Sequence, residues 1–304
     1  MTIQTRKPTG KPSWPLLLAA GGEGSGKSFL AAVASASDLI GRTYWIGYGE
    51  QDPDEYGALP GANFDIVGHN GTIADLRRIV KEIAAQPKTE KPSLIILDSG
   101  TKVWDNIAEN AQHDANRRKK AEDAVIGVDI WNKHKSQWRD IIDALRMHNG
   151  PAIITARYEE VAEVIKGKPT GEKLWKVKAE KGLPYDVDAV LHMTERGKYT
   201  ISKVRSVRLQ LQKPTDWPNF TMDSFWRELG LHELEVGESA YATPAIDPSD
   251  DRDWMKELAE AKGNVDAIGS LGVEARAANV DGTLLGMIRD AYKAASAPAE
   301  EGAA

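Results

Sequence analysis

The sequence predicts an α/β protein with a mostly parallel central sheet flanked by helices, plus a small helical C-terminal segment. Three observations carry that prediction. Apolar runs of strand length alternate with helix-period patterns through residues 14 to 237. One such run passes through a glycine-rich turn straight into an Ala-rich helix. Another ends abruptly on an aspartate.

Taken in order, Leu16 to Ala19 is short and wholly apolar, the pattern of a strand buried on both faces. Phe29 to Leu39 lacks Pro and Gly and reads as a helix. Further strands are predicted at Thr43 to Tyr48, Leu94 to Leu97, Ala152 to Thr155, Ala189 to Met193 and Tyr199 to Val204. Between them, Thr72 to Ala85 opens on a Thr-x-x-Asp cap and places Ile73, Leu76, Ile79, Val80 and Ile83 on one helical side. Ile130 to His148 aligns Trp131, Trp138, Ile141, Ile142 and Leu145, and Asn149-Gly150-Pro151 stops it. These tryptophans read as core or helix-packing residues rather than as a ligand platform.

Outside this body, residues 1 to 13 read as a flexible basic arm and residues 238 to 253 as a linker poor in apolar periodicity. Residues 254 to 294 show helical spacing from Trp254 through Ile288, and residues 295 to 304 read as a disordered tail. The net charge of −6 is unevenly spread: residues 244 to 304 hold twelve Asp/Glu against six Lys/Arg, which leaves residues 1 to 230 mildly basic. The absence of Cys excludes disulfides, thiol catalysis and Cys-based zinc sites. No run approaches the roughly 18 apolar residues of a spanning helix, and the first residues carry no apolar signal segment. A cytoplasmic location with no membrane partner is expected.

The glycine-rich turn is Gly21-Gly22-Glu23-Gly24-Ser25-Gly26-Lys27-Ser28, followed by Phe29, which fits G-x-x-x-x-G-K-[ST] in a strand-turn-helix context. Glycines let backbone N–H groups converge on phosphates, and a helix N-terminus adds positive dipole. Lys27 is placed to reach the β and γ phosphates of ATP and Ser28 to ligate Mg²⁺. Asp98, closing the strand about 70 residues downstream, is the second expected Mg²⁺ partner. Glu50 ends the strand after the P-loop helix and is expected as general base or water-orienting group; a solvated strand-end carboxylate is the alternative. Lys203 and Arg205 alternate on one strand, so both could approach one phosphate across an interface, or both could simply be solvated on an edge.

The order of these pieces resembles the RecA-like recombinase ATPases, in which a strand ending in Glu, then Asp-Pro and a nearby Tyr, follows the P-loop helix. Glu50-Gln51-Asp52-Pro53 and Tyr56 stand in that place here. The resemblance implies Glu50 as catalytic carboxylate, Tyr56 stacked on adenine, and Lys203 and Arg205 as fingers reaching a neighbouring subunit's nucleotide. It also implies a DNA-binding loop over Tyr158 to Gly182. Asp98-Ser99-Gly100-Thr101-Lys102-Val103-Trp104 and Ile153-Ile154-Thr155-Ala156-Arg157 are similar to segments of the phage-encoded single-strand annealing ATPases of the Sak group. Where recombinases carry a polar γ-phosphate sensor, this chain has Thr155-Ala156-Arg157.

Two basic segments are candidates for nucleic acid. Arg117, Arg118, Lys119 and Lys120 form one, and Lys166, Lys168, Lys173, Trp175, Lys176 and Lys178 the other. Lysines and arginines neutralise phosphates and an aromatic stacks on unpaired bases, so single-stranded DNA is the expected ligand. Each run read alone is also consistent with a solvated face.

The expectation is a DNA-dependent ATPase acting in recombination or annealing as a homo-oligomeric ring or filament, with another recombination or single-strand-binding protein meeting its C-terminal region. A hexameric helicase motor and a nucleotide-gated regulatory module are the alternatives.

Overall fold

The computed structural model describes residues 3, 5–165, 168–233, 241, 253–277, 280 and 282–296, with the side chains of 163–165, 168–169, 171–173 and 277 excepted. The chain divides into two units, Met1–Ala242 and Thr243–Ala304.

In the first unit the strands are β1 (Leu16–Gly21), β2 (Thr43–Gly47), β3 (Asp65–Ile66), β4 (Leu94–Asp98), β5 (Ala152–Ile165), β6 (Lys168–Val177), β7 (Ala189–Glu195), β8 (Lys198–Val204) and β9 (Thr215–Asp216). The helices are α1 (Lys27–Ala34), α2 (Ile73–Ala84), α3 (Gly100–Lys119), α4 (Val128–Met147), α5 (Leu183–Asp186) and α6 (Met222–Glu228). The sheet order is β3-β2-β4-β5-β1-β7-β8-β9, with β6 paired to β5 beyond the main path. From β3 to β7 every pair is parallel, and β8 and β9 close one side antiparallel.

Helices cover both faces, and alternate strand residues separate into two cores as the pleat requires. Leu16, Leu18, Ile95, Leu97 and Ile154 face α2 and α4, whose Leu76, Val80, Trp138 and Ile141 complete that layer. Leu17, Ala19, Leu94, Ile96 and Ile153 face α1 and α6 through Leu30, Ala31, Phe225 and Trp226. β1 and β4 are buried at every position, which is why both read as unbroken apolar runs. Burying each such Leu or Ile contributes about 1.5–3 kcal/mol, so these central strands anchor the sheet.

Local signals set the helix starts. The Thr72 hydroxyl accepts from the Asp75 N–H at 3.2 Å, and Ser99 caps α3 in the same way from Lys102. Thr221 and Ser224 form a reciprocal capping box at α6.

One part of the expected layout differs. The segment Tyr158 to Gly182 is not a loop along most of its length: β5 continues past the sheet and pairs antiparallel with β6, from Tyr158↔Val177 outward. Cross-strand pairs such as Glu159↔Lys176 and Val161↔Leu174 hold this arm together. The basic run Arg117, Arg118, Lys119 and Lys120 forms the end of the 20-residue helix α3, which directly follows β4.

The second unit contains α7 (Trp254–Glu260), α8 (Val265–Ala277) and α9 (Gly282–Ser296) around Trp254, Ile268, Leu271, Ala275 and Ile288. The expected linker lies largely outside the described residues, as does the tail from 297. Among the described residues, no helix is long and apolar enough to cross a membrane.

Candidate functional site at the carboxyl edge of the sheet

The carboxyl ends of the parallel strands bring the P-loop and three acidic or basic groups to one edge. Gly21 ends β1 opposite Arg157 of β5 and Met193 of β7. A Cβ at Gly21 would sit 2.2 Å from the Met193 carbonyl oxygen, so only glycine fits there. Gly24 and Gly26 adopt φ of 67° and 90°, turning the loop back onto the start of α1. Ser25 is buried, and its hydroxyl donates to the Gly22 carbonyl at 2.9 Å.

Lys27 extends over this loop, donating to the carbonyls of Gly22 at 2.7 Å and Gly21 at 3.1 Å. Burial lowers its pKa; the negative charges of Asp98 and Glu50 favour the ammonium, and the positive charge of Arg157 opposes it. Asp98, at the end of β4, is only 4 % exposed. Its carboxylate accepts from the Thr155 hydroxyl of β5 and lies beside the Ser28 side chain. Burial raises its pKa, and both hydroxyls oppose that rise. The peptide between Asp98 and Ser99 is cis.

Glu50 follows the end of β2, whose Gly47 pairs with Asp98. The Ser99 hydroxyl donates to its carboxylate at 2.7 Å, so one side chain both caps α3 and holds Glu50. Arg157, next to the fully buried Ala156 of β5, grips the same carboxylate bidentately, with Nε to Oε1 at 3.1 Å. That hydrogen bonding keeps the guanidinium pKa above its usual value. Lys27, Ser28, Asp98 and Glu50 therefore share one neighbourhood with Ser99 and with Thr155 and Arg157, the latter two from the segment that stands where recombinases carry a γ-phosphate sensor.

The Ser28 hydroxyl and the Asp98 carboxylate form a hard-oxygen pair beside the loop, a donor set that suits Mg²⁺ completed by water and phosphate oxygens. Among the described residues no group of three His, Cys, Asp or Glu side chains forms a separate metal cage.

A family model for the AAA domain matches residues 16–219, the span that contains all of these groups. The chain belongs to this AAA domain family. A search of curated proteins finds no match. Among solved structures, the chain is similar to a prototypical ATPase from the type III secretion system of pathogenic bacteria, at 14 % identity and a TM-score of 0.36. The match covers 59 % of this chain and 51 % of that one, so the chain spans about half the length of that neighbour. The family match itself, which spans the P-loop, Asp98 and Glu50, places a P-loop ATPase site in this AAA domain.

Of the remaining candidates, Glu23, Phe29 and Tyr56 stay near the loop and the others are dispersed. Glu23 is exposed within the P-loop. Phe29 is 37 % exposed directly after Ser28. Tyr56 is not a free-standing platform: it lies half-buried with its ring 6.0 Å from that of Trp45. Lys203 and Arg205 stand at the opposite edge, since Lys203 pairs with Val190 and the Arg205 N–H donates to the Asp188 carbonyl at 2.8 Å. The Lys203 ammonium donates to the carbonyls of Pro184, Tyr185 and Val187 at 3.0, 2.8 and 2.6 Å, capping the C-terminal end of α5. Arg205 keeps 76 % of its side chain exposed, with Asp188 3.9 Å away.

Of the basic segments, Arg117 and Arg118 are ion-paired with Asp114 and Asp129, and the Lys119 ammonium donates to the Val125 carbonyl at 3.2 Å. Lys120 is exposed at the end of α3 in a left-handed conformation. On the arm, Trp175 is 65 % exposed and Lys176 is exposed, while Lys178 pairs with Asp105 at 3.0 Å. Lys166 and the side chains of Lys168 and Lys173 lie outside the described residues. The root of the arm is fixed by Tyr158, whose hydroxyl is hydrogen-bonded to His192 Nδ1 at 2.6 Å; burial pushes its pKa up to about 12. The other ring nitrogen of His192 meets the Ser202 hydroxyl at 2.7 Å.

Proposed function

We propose that this AAA-domain protein is a RecA-like ATPase that binds single-stranded DNA and works as a homo-oligomeric ring or filament in strand annealing or recombination, of the Sak type encoded by phages. The observation that carries the ATPase part is the gathering of Lys27, Ser28, Asp98 and Glu50 at one sheet edge. With ATP bound, the Lys27 ammonium exchanges the Gly21 and Gly22 carbonyls for phosphate oxygens. Ser28 and Asp98 would hold Mg²⁺, which would supply neutralisation of the phosphate charge. Glu50, held by Ser99 and Arg157, orients the attacking water and accepts its proton. Arg157 supplies positive charge from the same chain, and Arg205 supplies it from a neighbouring copy.

The DNA-binding part is supported by the arm, where exposed Trp175 and Lys176 are adjacent and project from the same edge as the P-loop. The C-terminal unit exposes Met255, Val273, Met287 and Tyr292, which suits docking of another recombination or single-strand-binding protein. The working compartment on this reading is the cytoplasm of the host bacterium.

The test is steady-state ATP hydrolysis with and without single-stranded DNA, measured beside the oligomer mass. Hydrolysis stimulated severalfold by DNA in an oligomer supports the proposal. Hydrolysis unchanged by DNA in a monomer would reduce it to a nucleotide-gated module.

A further inference from the structure

An arginine that belongs to no motif stands at the mouth of the P-loop. β7 pairs with β1 as far as Met193↔Gly21, so three residues later Arg196 reaches the level of the loop glycines. Glu195↔Lys198 is the last pair of the β7–β8 hairpin, which leaves Arg196-Gly197 as its turn, with Gly197 at φ 83°. A Cβ placed on Gly26 would lie 4.0 Å from Arg196 Cγ, which fixes how closely this turn approaches the loop. The Arg196 guanidinium carbon is 5.4 Å from the centroid of the Phe29 ring. Phe29 packs into neither core of the first unit, although it is an aromatic on an otherwise Ala-rich helix.

The charge arrangement leaves this arginine available. Glu195 beside it is engaged by Lys198 at 2.7 Å, and among the described residues no carboxylate forms an ion pair with Arg196. Position in the sheet then assigns its direction. Asp98 and Glu50 lie at the ends of β4 and β2, on one side of β1, whereas β7 and its turn lie on the other. A triphosphate whose terminal phosphate meets Asp98 and Glu50 runs back across Lys27 with its nucleoside end toward β7.

We propose that Arg196 is the nucleobase-contacting residue of this site, presenting its guanidinium plane to the purine of a nucleoside triphosphate while Phe29 backs that plane from the other side. A guanidinium supported on an aromatic face is planar, weakly hydrated and suited to stacking. Tyr56, packed on Trp45, is then relieved of that role. The proposal rests on the P-loop reading of the same edge and deepens it.

The experiment compares two ligands that share the phosphates and differ in the base. Equilibrium binding of Mg-ATP and of Mg-tripolyphosphate is measured for wild type, Arg196→Ala, Arg196→Lys and Phe29→Ala, with thermal unfolding as the folding control. Arg196→Ala is expected to weaken ATP about tenfold and to leave tripolyphosphate within about twofold. Arg196→Lys, which keeps the charge and loses the plane, is expected to behave like Arg196→Ala, and Phe29→Ala to give a smaller loss in the same direction. Equal weakening of both ligands by Arg196→Ala would make Arg196 a phosphate contact and overturn the proposal. Unchanged ATP affinity would overturn it as well. Wild-type protein that binds neither ligand would sink the P-loop reading itself, a result distinct from failure of the Arg196 assignment alone.

Discussion

Lys27 and Lys203 both donate to backbone carbonyls, at opposite edges of the sheet, and the difference between their acceptors separates two kinds of site. Lys27 lies on Gly21 and Gly22 of a glycine-rich turn, next to Asp98 and Glu50. Lys203 lies on Pro184, Tyr185 and Val187 at the end of α5, where three carbonyls would otherwise lack partners. The first ammonium can change partners when phosphates arrive. The second completes a helix terminus, and moving it would strand those carbonyls.

Lys27→Ala is the largest expected effect and the sharpest test of that contrast: ATP affinity should fall by about a hundredfold or more, since two charge-assisted contacts are lost. Affinity close to wild type in a direct titration would erase the distinction between the two edges. Glu50→Gln should bind ATP while turnover drops by about 10²–10⁴-fold, read in single-turnover assays; an unchanged rate would remove Glu50 as the base. Lys203→Met should cost about 1–3 kcal/mol of folding stability in urea titrations, with ATP affinity unaltered. Hydrolysis lost at unchanged stability would instead make Lys203 a finger and break the comparison. The smallest effect is expected for Arg205→Ala, whose subunits should regain part of their activity when mixed with Glu50→Gln subunits, because each copy supplies what the other lacks. Absence of rescue at every mixing ratio would confine Arg205 to a surface role.

What could be read from the chain alone follows the range of the interactions involved. The P-loop and the β4 strand were legible because strand, turn and acid are contiguous, and their burial on both faces leaves runs without alternation. Arg157 was not legible as a partner of Glu50, since the two lie 107 residues apart and meet only through the order β2-β4-β5. The arm was missed for a related reason. Glu159 and Lys176 look like scattered charges in a lysine-rich stretch until they are seen opposite each other in register. Arg117, Arg118 and Lys119 had a local signal that was available: basic residues in the last turn of a helix offset its dipole, and Asp114 stands three residues before Arg117. The three acceptors of Lys203 depend on where a four-residue helix ends, which no spacing in the sequence announces.

The length of β5 carries a mechanical consequence. Eight residues separate Arg157 from Ile165, and an extended chain gains about 3.3 Å per residue, so the described strand reaches roughly 26 Å beyond the residue that grips Glu50. A tilt of about 10° at that root would sweep the far end through roughly 4–5 Å by the same spacing. Any such rotation would be enlarged along the strand into a displacement comparable to the separation of neighbouring strands.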